Sequence, residues 1–517
     1  MYIYNLNQRF KQIVEKFPDR VALSFPEGDK VKYGELNLLS DRIMVFLQAM
    51  AITKGSVVAI YGEKNVFTFA AILACLKSGI TYTVFDPQSP MDRLQRIFST
   101  CKPSAVFCSK ETLEVFKKHF GDETHVFENN FNQIHEDISS IKKADFPAST
   151  PAYIMYTSGS TGLPKGALIT HGNILNFINW GRDEYGITED DILTNVNPLY
   201  FDNSVFDLYS AIFNGATLVP FSQDQVQTGP RFLELIDETG CTQWFSVPTM
   251  LIFLQTMRAF KQDSFKSIKR IIFGGEGYPK ARLKALYTLF GHRIDFYNVY
   301  GPTECTCICS NYKLSSQDFE NLEGFPPIGA IIGNFSWQIV DEDLSPVEND
   351  SQGELCLLGP NVGAGYYKDP ENTSKNFITN PQNEAFSEPM YLTGDIVHYN
   401  SSDGKIYIHG RKDNQIKHMG YRIELEEIET AICRLDYIDQ ASVVHGFKMG
   451  ISRLVGVVCT NKEINETRMR NDLKSFLPDY MIPNEFHSVS ALPTNANGKI
   501  DRQKISELYI KGYRNVS

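Results

Sequence analysis

Along the first half of the chain, short apolar segments typical of buried strands alternate with longer segments whose apolar residues have helical spacing. This pattern predicts alternating strands and helices. Near the N-terminus, an amphipathic helix is predicted from the helical spacing of Phe10, Ile13, Val14 and Phe17. The strands predicted after it are 57–62, 81–85 and 104–109, and the helices predicted between them are 67–79 and 90–101. A second series of this kind runs from residue 192 to 276. Strand–helix–strand order is typical of parallel sheets, so we expect two layered α/β parts.

The pattern changes in the second half of the chain. After residue 325, short apolar segments are separated by Gly, Asp, Asn and Ser turns, which predicts an antiparallel, barrel-like part. The elements predicted after Gln415 are a helix over 421–435, strands over 441–447 and 454–460, and a helix over 467–477. The predicted fold class is therefore α/β. We expect two α/β layered subdomains plus a distorted β-barrel in a large N-terminal part, followed by a small mobile α+β C-terminal domain.

Composition and charge narrow the class of protein. The 517 residues are 42% apolar and 21% charged, which is ordinary for a globular protein of several domains. The formal net charge of −11 argues against a nucleic-acid partner, which usually needs a basic surface. No apolar run reaches the roughly 18 residues of a membrane span, and the N-terminus lacks the pattern of a signal peptide. We therefore expect a cytoplasmic protein with neither a membrane nor a nucleic-acid partner.

The ten cysteines are scattered and show no paired zinc-binding spacing, except for a cluster at Cys305, Cys307 and Cys309. If these three lie on a strand, they face one side and a metal site is conceivable. Small buried residues are the favoured interpretation, in a reducing compartment.

The segment from Tyr156 to Gly166, YTSGSTGLPKG, carries the strongest chemical signal. Glycines and hydroxyl residues let backbone N–H groups and side-chain hydroxyls approach phosphate oxygens closely, and Lys165 adds a positive charge. It differs from the usual P-loop, because Pro164 precedes the lysine and Gly166 follows it. A flexible linker would not explain the apolar strand pattern directly before the segment. We therefore predict a phosphate-binding loop.

With this segment the chain resembles the superfamily of adenylate-forming enzymes, which includes acyl-CoA synthetases, luciferases and the adenylation domains of nonribosomal peptide synthetases. Five further signature segments follow in the expected order: YGPTE at 300–304, GEL at 353–355, YLTGD at 391–395, GRKD at 410–413 and NGKID at 497–501. The resemblance covers almost the whole chain, from residue 10 to 505. The segment 410–429 is similar to the adenylation domains and to D-alanine–carrier-protein ligases more than to acyl-CoA synthetases.

The resemblance implies an ATP site with Mg²⁺. In the phosphate loop, the implied ligands are Thr157, Ser158, Gly159, Ser160, Thr161, Gly162 and Lys165. Around the adenine and the α-phosphate, they are Gly274, Gly275, Glu276, Asn298, Val299, Tyr300, Gly301, Pro302 and Thr303. Asp395 would bind the ribose with the help of Arg411, and Glu304 would be a Mg²⁺ ligand, as suits a hard cation. The implied catalytic residues are Glu304, Thr161 and Lys499, a mobile lysine that would bridge the substrate carboxylate and the α-phosphate.

An amino-acid substrate is implied by Asp202, which stands where the family pairs an aspartate with the substrate ammonium group. The alternative is an aspartate that caps a helix. The other implied substrate-binding residues are Asn203, Phe206, Phe245, Ile272, Gly274, Val299, Cys307, Ile308 and, for the carboxylate, Lys499. Apart from Lys499, this lining is mostly apolar and carries no charge, so we expect an uncharged aliphatic amino acid.

The resemblance also divides the chain at Asp413. Residues 1–412 would form the large adenylation domain, residues 413–517 the lid, and Asp413 the hinge between them. No Gly-Gly-x-Ser-type attachment segment is present, so we expect the holo carrier protein with its phosphopantetheine thiol to be a separate partner. Three alternatives stay open: a carboxylic acid–CoA ligase, a D-alanine–carrier-protein ligase and a non-catalytic nucleotide-binding scaffold.

Overall fold

A computed structural model describes residues 2–121, 124–131, 134, 145–159, 164–448, 451–460, 462, 464–494 and 500–510. The helices in these ranges are α1 Leu6–Lys16, α2 Tyr33–Ala49, α3 Val66–Ser78, α4 Met91–Cys101, α5 Lys110–Phe120, α6 His171–Tyr185, α7 Asn203–Ile212, α8 Gln223–Gln227, α9 Pro230–Glu238, α10 Pro248–Thr256, α11 Lys280–Phe290, α12 Pro370–Asn376, α13 Leu425–Ile432, α14 Glu466–Leu473 and α15 Arg502–Tyr509. None of these helices combines the length and the apolar composition that a bilayer crossing requires.

The strands in the same ranges are β1 Val21–Ser24, β2 Lys30–Lys32, β3 Val57–Tyr61, β4 Thr81–Phe85, β5 Ala105–Cys108, β6 His125–Glu128, β7 Pro151–Thr157, β8 Lys165–Thr170, β9 Ile192–Asn195, β10 Thr217–Pro220, β11 Gln243–Ser246, β12 Arg270–Gly274, β13 Asp295–Tyr300, β14 Ser310–Lys313, β15 Ala330–Ile331, β16 Ser336–Val340, β17 Gln352–Leu358, β18 Phe377–Thr379, β19 Pro389–Asn400, β20 Lys405–Arg411, β21 Gln415–His418, β22 Tyr421–Glu424, β23 Gln440–Lys448, β24 Ile451–Cys459 and β25 Glu485–Val489.

Two large, mostly parallel sheets form the N-terminal part, as the alternating pattern predicted. The first has the order β6-β5-β3-β4-β7-β8, and the second has the order β15-β14-β13-β12-β11-β9-β10-β1-β2. In the first sheet β3 pairs in parallel with β4 and β5, and in the second β12 pairs in parallel with β11 and β13. Because parallel strands end at the same edge, the loops that follow β11, β12 and β13 meet there.

The helix α3 shows how the sequence specifies these layers. Its residues are buried on every side, as its nearly continuous apolar sequence requires. The side chain of Asn65 caps its N-terminus by accepting a hydrogen bond from the backbone of Thr68. It ends at Gly79, whose left-handed φ of 67° stops the helix where the sequence predicted.

The rest of the chain is antiparallel and then mixed, again as predicted. Strands β16, β17, β18, β19 and β20 form a five-stranded antiparallel sheet. After it come the hairpin β21–β22 and a three-stranded sheet of β23, β24 and β25. The elements from Gln415 to Ile510 pack around apolar clusters of their own, and we call them the C-terminal lobe; the described residues before Gln415 are the N-terminal lobe.

One prediction from the sequence is wrong in detail. The predicted helix 421–435 begins only at Leu425, because residues 421–424 form β22 and pair with β21. The backbone at Met419 and Gly420 has positive φ at both positions, 53° and 82°, which closes the chain into a two-residue hairpin.

The cysteine cluster does not lie on one strand. Cys305 ends a single 3₁₀ turn, and Thr306 and Cys307 have left-handed φ values of 59° and 76°, so the side chains do not alternate. All three cysteines are buried in the apolar core, and among the described residues no group of three or more His, Cys, Asp or Glu side chains could hold a metal ion.

Candidate active site between the two lobes

The predicted adenine-site residues meet at the carboxyl edge of the second sheet. Gly274 ends β12 and lies in register with Val299 on β13. A Cβ atom at Gly274 would lie 2.4 Å from the Val299 carbonyl oxygen, so only glycine allows this close approach. The adjacent strand ends therefore place the loops 274–276 and 298–303 side by side.

A cavity of about 640 Å³ lies between these loops and the C-terminal lobe. The predicted ATP-site residues that line it are Gly275, Glu276, Asn298, Val299, Tyr300, Asp395 and Arg411. Its opposite wall includes Leu425, Val444, His445 and Phe447 of the C-terminal lobe. A space of this size and mixed polarity is suited to a nucleotide-sized ligand.

Asp395 is the polar centre of this cavity. Its two carboxylate oxygens accept hydrogen bonds from the Tyr300 hydroxyl at 2.5 Å and from Arg411 Nη1 at 2.8 Å. Strand β19 carries Asp395 directly opposite Arg411 on β20, so the pair is set by sheet register. The same guanidinium also binds both carboxylate oxygens of Asp413, at 2.7 Å each. The predicted ribose ligand and the predicted hinge residue thus share one arginine.

Glu304 is only 1% exposed and is fully engaged. Its Oε1 accepts from the Tyr366 hydroxyl at 2.6 Å, and its Oε2 accepts from Arg422 Nη1 at 2.7 Å. Burial alone would raise the pKa of the Glu304 carboxyl, but the Arg422 guanidinium and the Tyr366 hydroxyl outweigh burial and lower this pKa. A carboxylate with a lowered pKa that already pairs with the Arg422 cation fits a Mg²⁺ ligand.

A second, narrow cavity of about 70 Å³ is lined by Thr157, Ser158, Asp202 and Thr303. Asp202 directly precedes α7 but makes no capping hydrogen bond; instead its Oδ2 accepts from the Thr303 hydroxyl at 2.6 Å. Burial raises the pKa of Asp202, while the Thr303 hydroxyl and the Lys417 ammonium oppose this rise. The Asp202 carboxylate therefore lies beside the 300–304 turn.

The phosphate loop is described only at its two ends. Thr157 ends β7 and donates to the Lys165 carbonyl oxygen at 3.4 Å, while Ser158 and Gly159 are buried. The Lys165 ammonium lies 5.9 Å from the ring of Tyr366, which itself holds Glu304. The predicted ligands Ser160, Thr161, Gly162 and Lys499 lie outside the described residues.

The predicted side-chain pocket is closely packed. The rings of Phe206 and Phe245 meet edge to face with centroids 5.2 Å apart. Gly301 is required here, because a Cβ atom would lie 2.1 Å from the Cys307 carbonyl oxygen. The buried apolar members of the pocket are Phe206, Phe245, Ile272, Val299, Cys307 and Ile308. Asn203 lies at its rim, where its amide would be 3.3 Å from a Cβ atom at Gly275.

Sequence reasoning missed the hairpin β21–β22, whose turn enters the site. The Gly420 N–H donates to Glu276 Oε2 at 3.1 Å. The Ser158 hydroxyl donates to the Arg422 carbonyl oxygen at 2.8 Å and accepts from the Glu424 N–H at 3.1 Å. The sequence does contain a hairpin pattern, in which Met419 and Gly420 join two short segments of alternating apolar and polar residues. The hairpin was missed because residues 421–435 were predicted as one helix.

Lys417 is a second residue that sequence reasoning missed. Strand β21 places its ammonium 5.1 Å from the centre of the Tyr300 ring. Burial lowers the pKa of Lys417, and the nearby carboxylates of Asp395 and Asp202 counteract this in part. The site thus receives two cations from the C-terminal lobe, Lys417 and Arg422, in addition to Lys165 and Arg411 from the N-terminal lobe.

Comparison with known proteins agrees with this geometry. The family described as "AMP-binding enzyme" matches residues 10–367, and "AMP-binding enzyme C-terminal domain" matches residues 427–499. The chain is 31% identical to gramicidin S synthase 1 of Brevibacillus brevis over 97% of its own length, but it spans only 44% of that protein. It is 30% identical to the D-alanine–D-alanyl carrier protein ligase of Listeria monocytogenes, over 96% of this chain and 98% of that protein.

The fold is shared with solved structures. The Vibrio cholerae adenylation domain AlmE, solved in complex with glycyl-adenosine-5'-phosphate, superimposes with a TM-score of 0.83 at 21% sequence identity. The two chains cover 99% of each other. At this identity, the likeness concerns the fold alone.

Proposed function

Since the chain belongs to the family of AMP-binding enzymes, we propose that it activates an amino acid with ATP and transfers it to a carrier protein. The amino-acid carboxylate attacks the α-phosphorus of ATP, which forms aminoacyl-AMP and releases pyrophosphate. A carrier thiol then attacks the aminoacyl carbonyl, which forms a thioester and releases AMP. The observation that carries the proposal is that the 300–304 turn reaches both cavities: Tyr300 bonds to Asp395 in the large one, and Thr303 bonds to Asp202 in the narrow one.

Each side chain has a role that its surroundings support. Asp395, oriented by Tyr300 and Arg411, accepts hydrogen bonds from the ribose hydroxyls. Asp202, oriented by Thr303, binds the ammonium group of the substrate, since a partly buried cation needs an anionic partner. Glu304 would hold Mg²⁺, which when bound supplies positive charge to the phosphate oxygens. Lys165, Thr157 and Ser158 bind the phosphates, and Lys499 neutralises charge that develops at the α-phosphate.

The packing of the pocket favours a small or medium uncharged side chain. Phe206, Phe245, Ile272 and Ile308 are at most 2% exposed and bring no charged group to the pocket. A charged or strongly polar substrate side chain would lose its hydration without a partner there. We therefore propose an uncharged aliphatic amino acid.

D-Alanine is a second candidate for the substrate. The D-alanine–D-alanyl carrier protein ligase of Listeria monocytogenes is 30% identical to this chain over 96% of its residues. The name of that relative also supports a carrier protein as the acceptor, which we propose to be a separate protein.

The test is amino-acid-dependent exchange of labelled pyrophosphate into ATP, across all common L- and D-amino acids. We expect exchange with one aliphatic amino acid, or with D-alanine, and none with charged ones. Offering coenzyme A and a holo carrier protein as acceptors then separates the carrier-dependent reaction from a CoA ligase. ATP binding without exchange for any amino acid would contradict the proposal and favour a nucleotide-binding scaffold.

A further inference from the structure

Two phenylalanines meet in the proposed side-chain pocket. Phe206 lies on α7 and Phe245 on β11, and their rings are in edge-to-face contact with centroids 5.2 Å apart. Both side chains are at most 2% exposed. Apolar contact is non-directional, so the contact between these rings does not by itself fix how far apart α7 and β11 lie. A directional link between the two elements comes from polar side chains next to the rings.

Asn197 supplies this link. Its amide nitrogen donates to Asp207 Oδ2 at 3.0 Å and to the Phe245 carbonyl oxygen at 3.0 Å. An asparagine amide has two hydrogens to donate, so both are used here. Asp207 directly follows Phe206 on α7. One side chain therefore joins the residue next to Phe206 to the backbone of Phe245.

Further contacts hold Asp207 in this position. It is 1% exposed, and the same Oδ2 also accepts from Asn195 Nδ2 at 3.2 Å. The Lys64 ammonium, from the segment between β3 and α3, donates to the Asn195 carbonyl oxygen at 2.6 Å. Burial raises the pKa of Asp207, while the two amides and the Lys64 ammonium oppose this rise. Because a buried carboxylate is costly without hydrogen bonds, a shift of α7 that breaks these contacts is unfavourable.

From these contacts we propose that Asn197 and Asp207 determine which side-chain lengths the pocket accepts, because their hydrogen bonds fix the separation of Phe206 and Phe245. The proposal rests on the proposed function and deepens it. Neither residue is among the pocket residues predicted from the sequence, and both act through the phenylalanines, as positioning residues. A pocket with fixed walls excludes a side chain that is one methylene too long, whereas walls that can separate admit it.

The wild type is tested first, with aliphatic amino acids of increasing side-chain length from alanine to norleucine, in both configurations. Amino-acid-dependent pyrophosphate exchange gives kcat and KM for each. We expect a length cut-off, in which one methylene beyond the preferred length lowers kcat/KM about 10- to 200-fold. A gradual dependence on length without such a cut-off would refute the fixed separation, even where exchange is normal.

Asn197→Leu removes both amide hydrogens at a similar side-chain volume. We expect the length cut-off to shrink to about two- to fivefold and the KM for the preferred amino acid to rise about three- to tenfold. The kcat should change less than about twofold, because the groups that surround the phosphates are left in place. Asp207→Asn keeps an oxygen that can accept from Asn197, so it should retain most of the cut-off. Loss of the cut-off in Asp207→Asn would contradict a role that depends on this hydrogen bond.

Asn214→Leu is the matched control. Asn214 lies just after α7, is 6% exposed and also forms hydrogen bonds, with the Arg9 side chain and with the Ser210 carbonyl oxygen. Neither of these partners lies on β11. Its replacement should lower the melting temperature by an amount similar to that for Asn197→Leu but leave the length cut-off unchanged. Loss of the cut-off in this control would assign the effect to general loosening around α7 and refute the specific role of Asn197.

The outcomes separate this proposal from the proposed function. Normal exchange with an unchanged length cut-off in Asn197→Leu would refute the role of Asn197 and leave the proposed function intact. If no amino acid supports exchange in the wild type, the proposed function fails, and the positioning role fails with it. The wild-type series tests the fixed separation without any variant, so a variant that does not fold leaves that test in force.

Discussion

At the scale of single residues, the proposed function makes Asp202 the partner of the substrate's ammonium group. The structure orients this anion through the Thr303 hydroxyl rather than through a helix cap. Its pKa is raised by burial, so the carboxylate is sensitive to acid.

Replacing Asp202 with Asn should abolish amino-acid-dependent pyrophosphate exchange. The amide keeps the shape and can still accept from Thr303, but an unpaired ammonium group would be buried, at a cost of about 3–5 kcal/mol. That corresponds to a loss of at least about hundredfold in kcat/KM for the amino acid, with ATP affinity unchanged. Asp224→Asn, at an exposed position, is the control.

Acid should have a related effect in the wild type. As the pH falls through the raised pKa of Asp202, the carboxylate gains a proton and loses its attraction for the ammonium group. We expect the KM for the amino acid to rise toward low pH, with less change in the KM for ATP. An amino-acid KM that is independent of pH would exclude Asp202 as the ammonium partner.

A further prediction for a single residue concerns Lys499, which lies outside the described residues. Lys499→Ala should lose most of the adenylation activity, because the developing phosphoryl charge loses its mobile counter-cation. Transfer from supplied aminoacyl-AMP to the carrier should survive. Rapid-quench measurement of the two half-reactions checks this, and equal losses in both would contradict the role.

At the scale of elements, the hairpin β21–β22 is placed by one glycine. Gly420 has a φ of 82°, and a Cβ atom there would lie 2.7 Å from the Val247 side chain. Both facts restrict this position to glycine, because the turn must fit against the N-terminal lobe while its N–H binds Glu276.

Gly420→Ala should therefore weaken docking of the hairpin and slow transfer to the carrier more than adenylation. Gly404→Ala is a matched control, because Gly404 has a similar φ of 70° but its nearest neighbour would be 3.7 Å from the new Cβ atom. The two half-reactions are measured separately for both variants. A Gly420→Ala protein with an unchanged transfer rate would show that the docked hairpin is not needed for that step.

Two ion pairs join α4 to the C-terminal lobe. Helix α4 supplies the cation of one pair and the anion of the other. Arg93 on α4 pairs with Glu427 at 3.3 Å, and Asp92 on α4 pairs with Arg434 at 3.1 Å. The first pair is almost buried and the second is about one third exposed. Together the two ion pairs favour the observed orientation of the C-terminal lobe, in which α13 lies beside α4, over orientations that separate these helices.

Reversal of one charge should disturb this orientation, and reversal of both should restore it. Arg434→Asp places two carboxylates together, and we expect the rate of transfer to fall about two- to fivefold, as suits an exposed pair worth under ~1 kcal/mol. Asp92→Arg combined with Arg434→Asp should recover most of this loss. A double variant that is no better than the single one would mean that the pair does not set the orientation.

At the scale of the whole molecule, the proposed reaction requires the C-terminal lobe to take more than one position. In the structure, Arg422 and Lys417 face the site from the hairpin, while Arg502 pairs with Glu426 and Glu429 within the C-terminal lobe itself. The boundary at residues 412 and 413 remains a prediction.

Asp413→Pro tests the predicted hinge. Proline fixes φ, so we expect at least one half-reaction to slow markedly, because the lobe cannot reach both positions. The substitution also removes the pair with Arg411, so Asp413→Ala is the control that loses the same pair but keeps a free backbone. Proline and alanine variants with the same rates in both half-reactions would locate the hinge elsewhere.

The sequence by itself determined the features that depend on residues close together along the chain. Apolar periods predicted the parallel layers and the antiparallel part, Gly79 predicted the end of α3, and the ordered segments contain residues that line the cavity between the lobes. These are local signals, because strand and helix periods and glycine turns are properties of a few consecutive residues.

Only the tertiary structure decided which distant groups pair. Arg422 meets Glu304, Ser158 meets the backbone of β22, and Lys417 meets Tyr300 because the C-terminal lobe folds against the edge of the large sheets. The sequence predicted a helix over part of this hairpin, since a short apolar segment fits either period until its partners are known. These three contacts join residues more than 100 positions apart, and their choice depends on packing and charge in three dimensions.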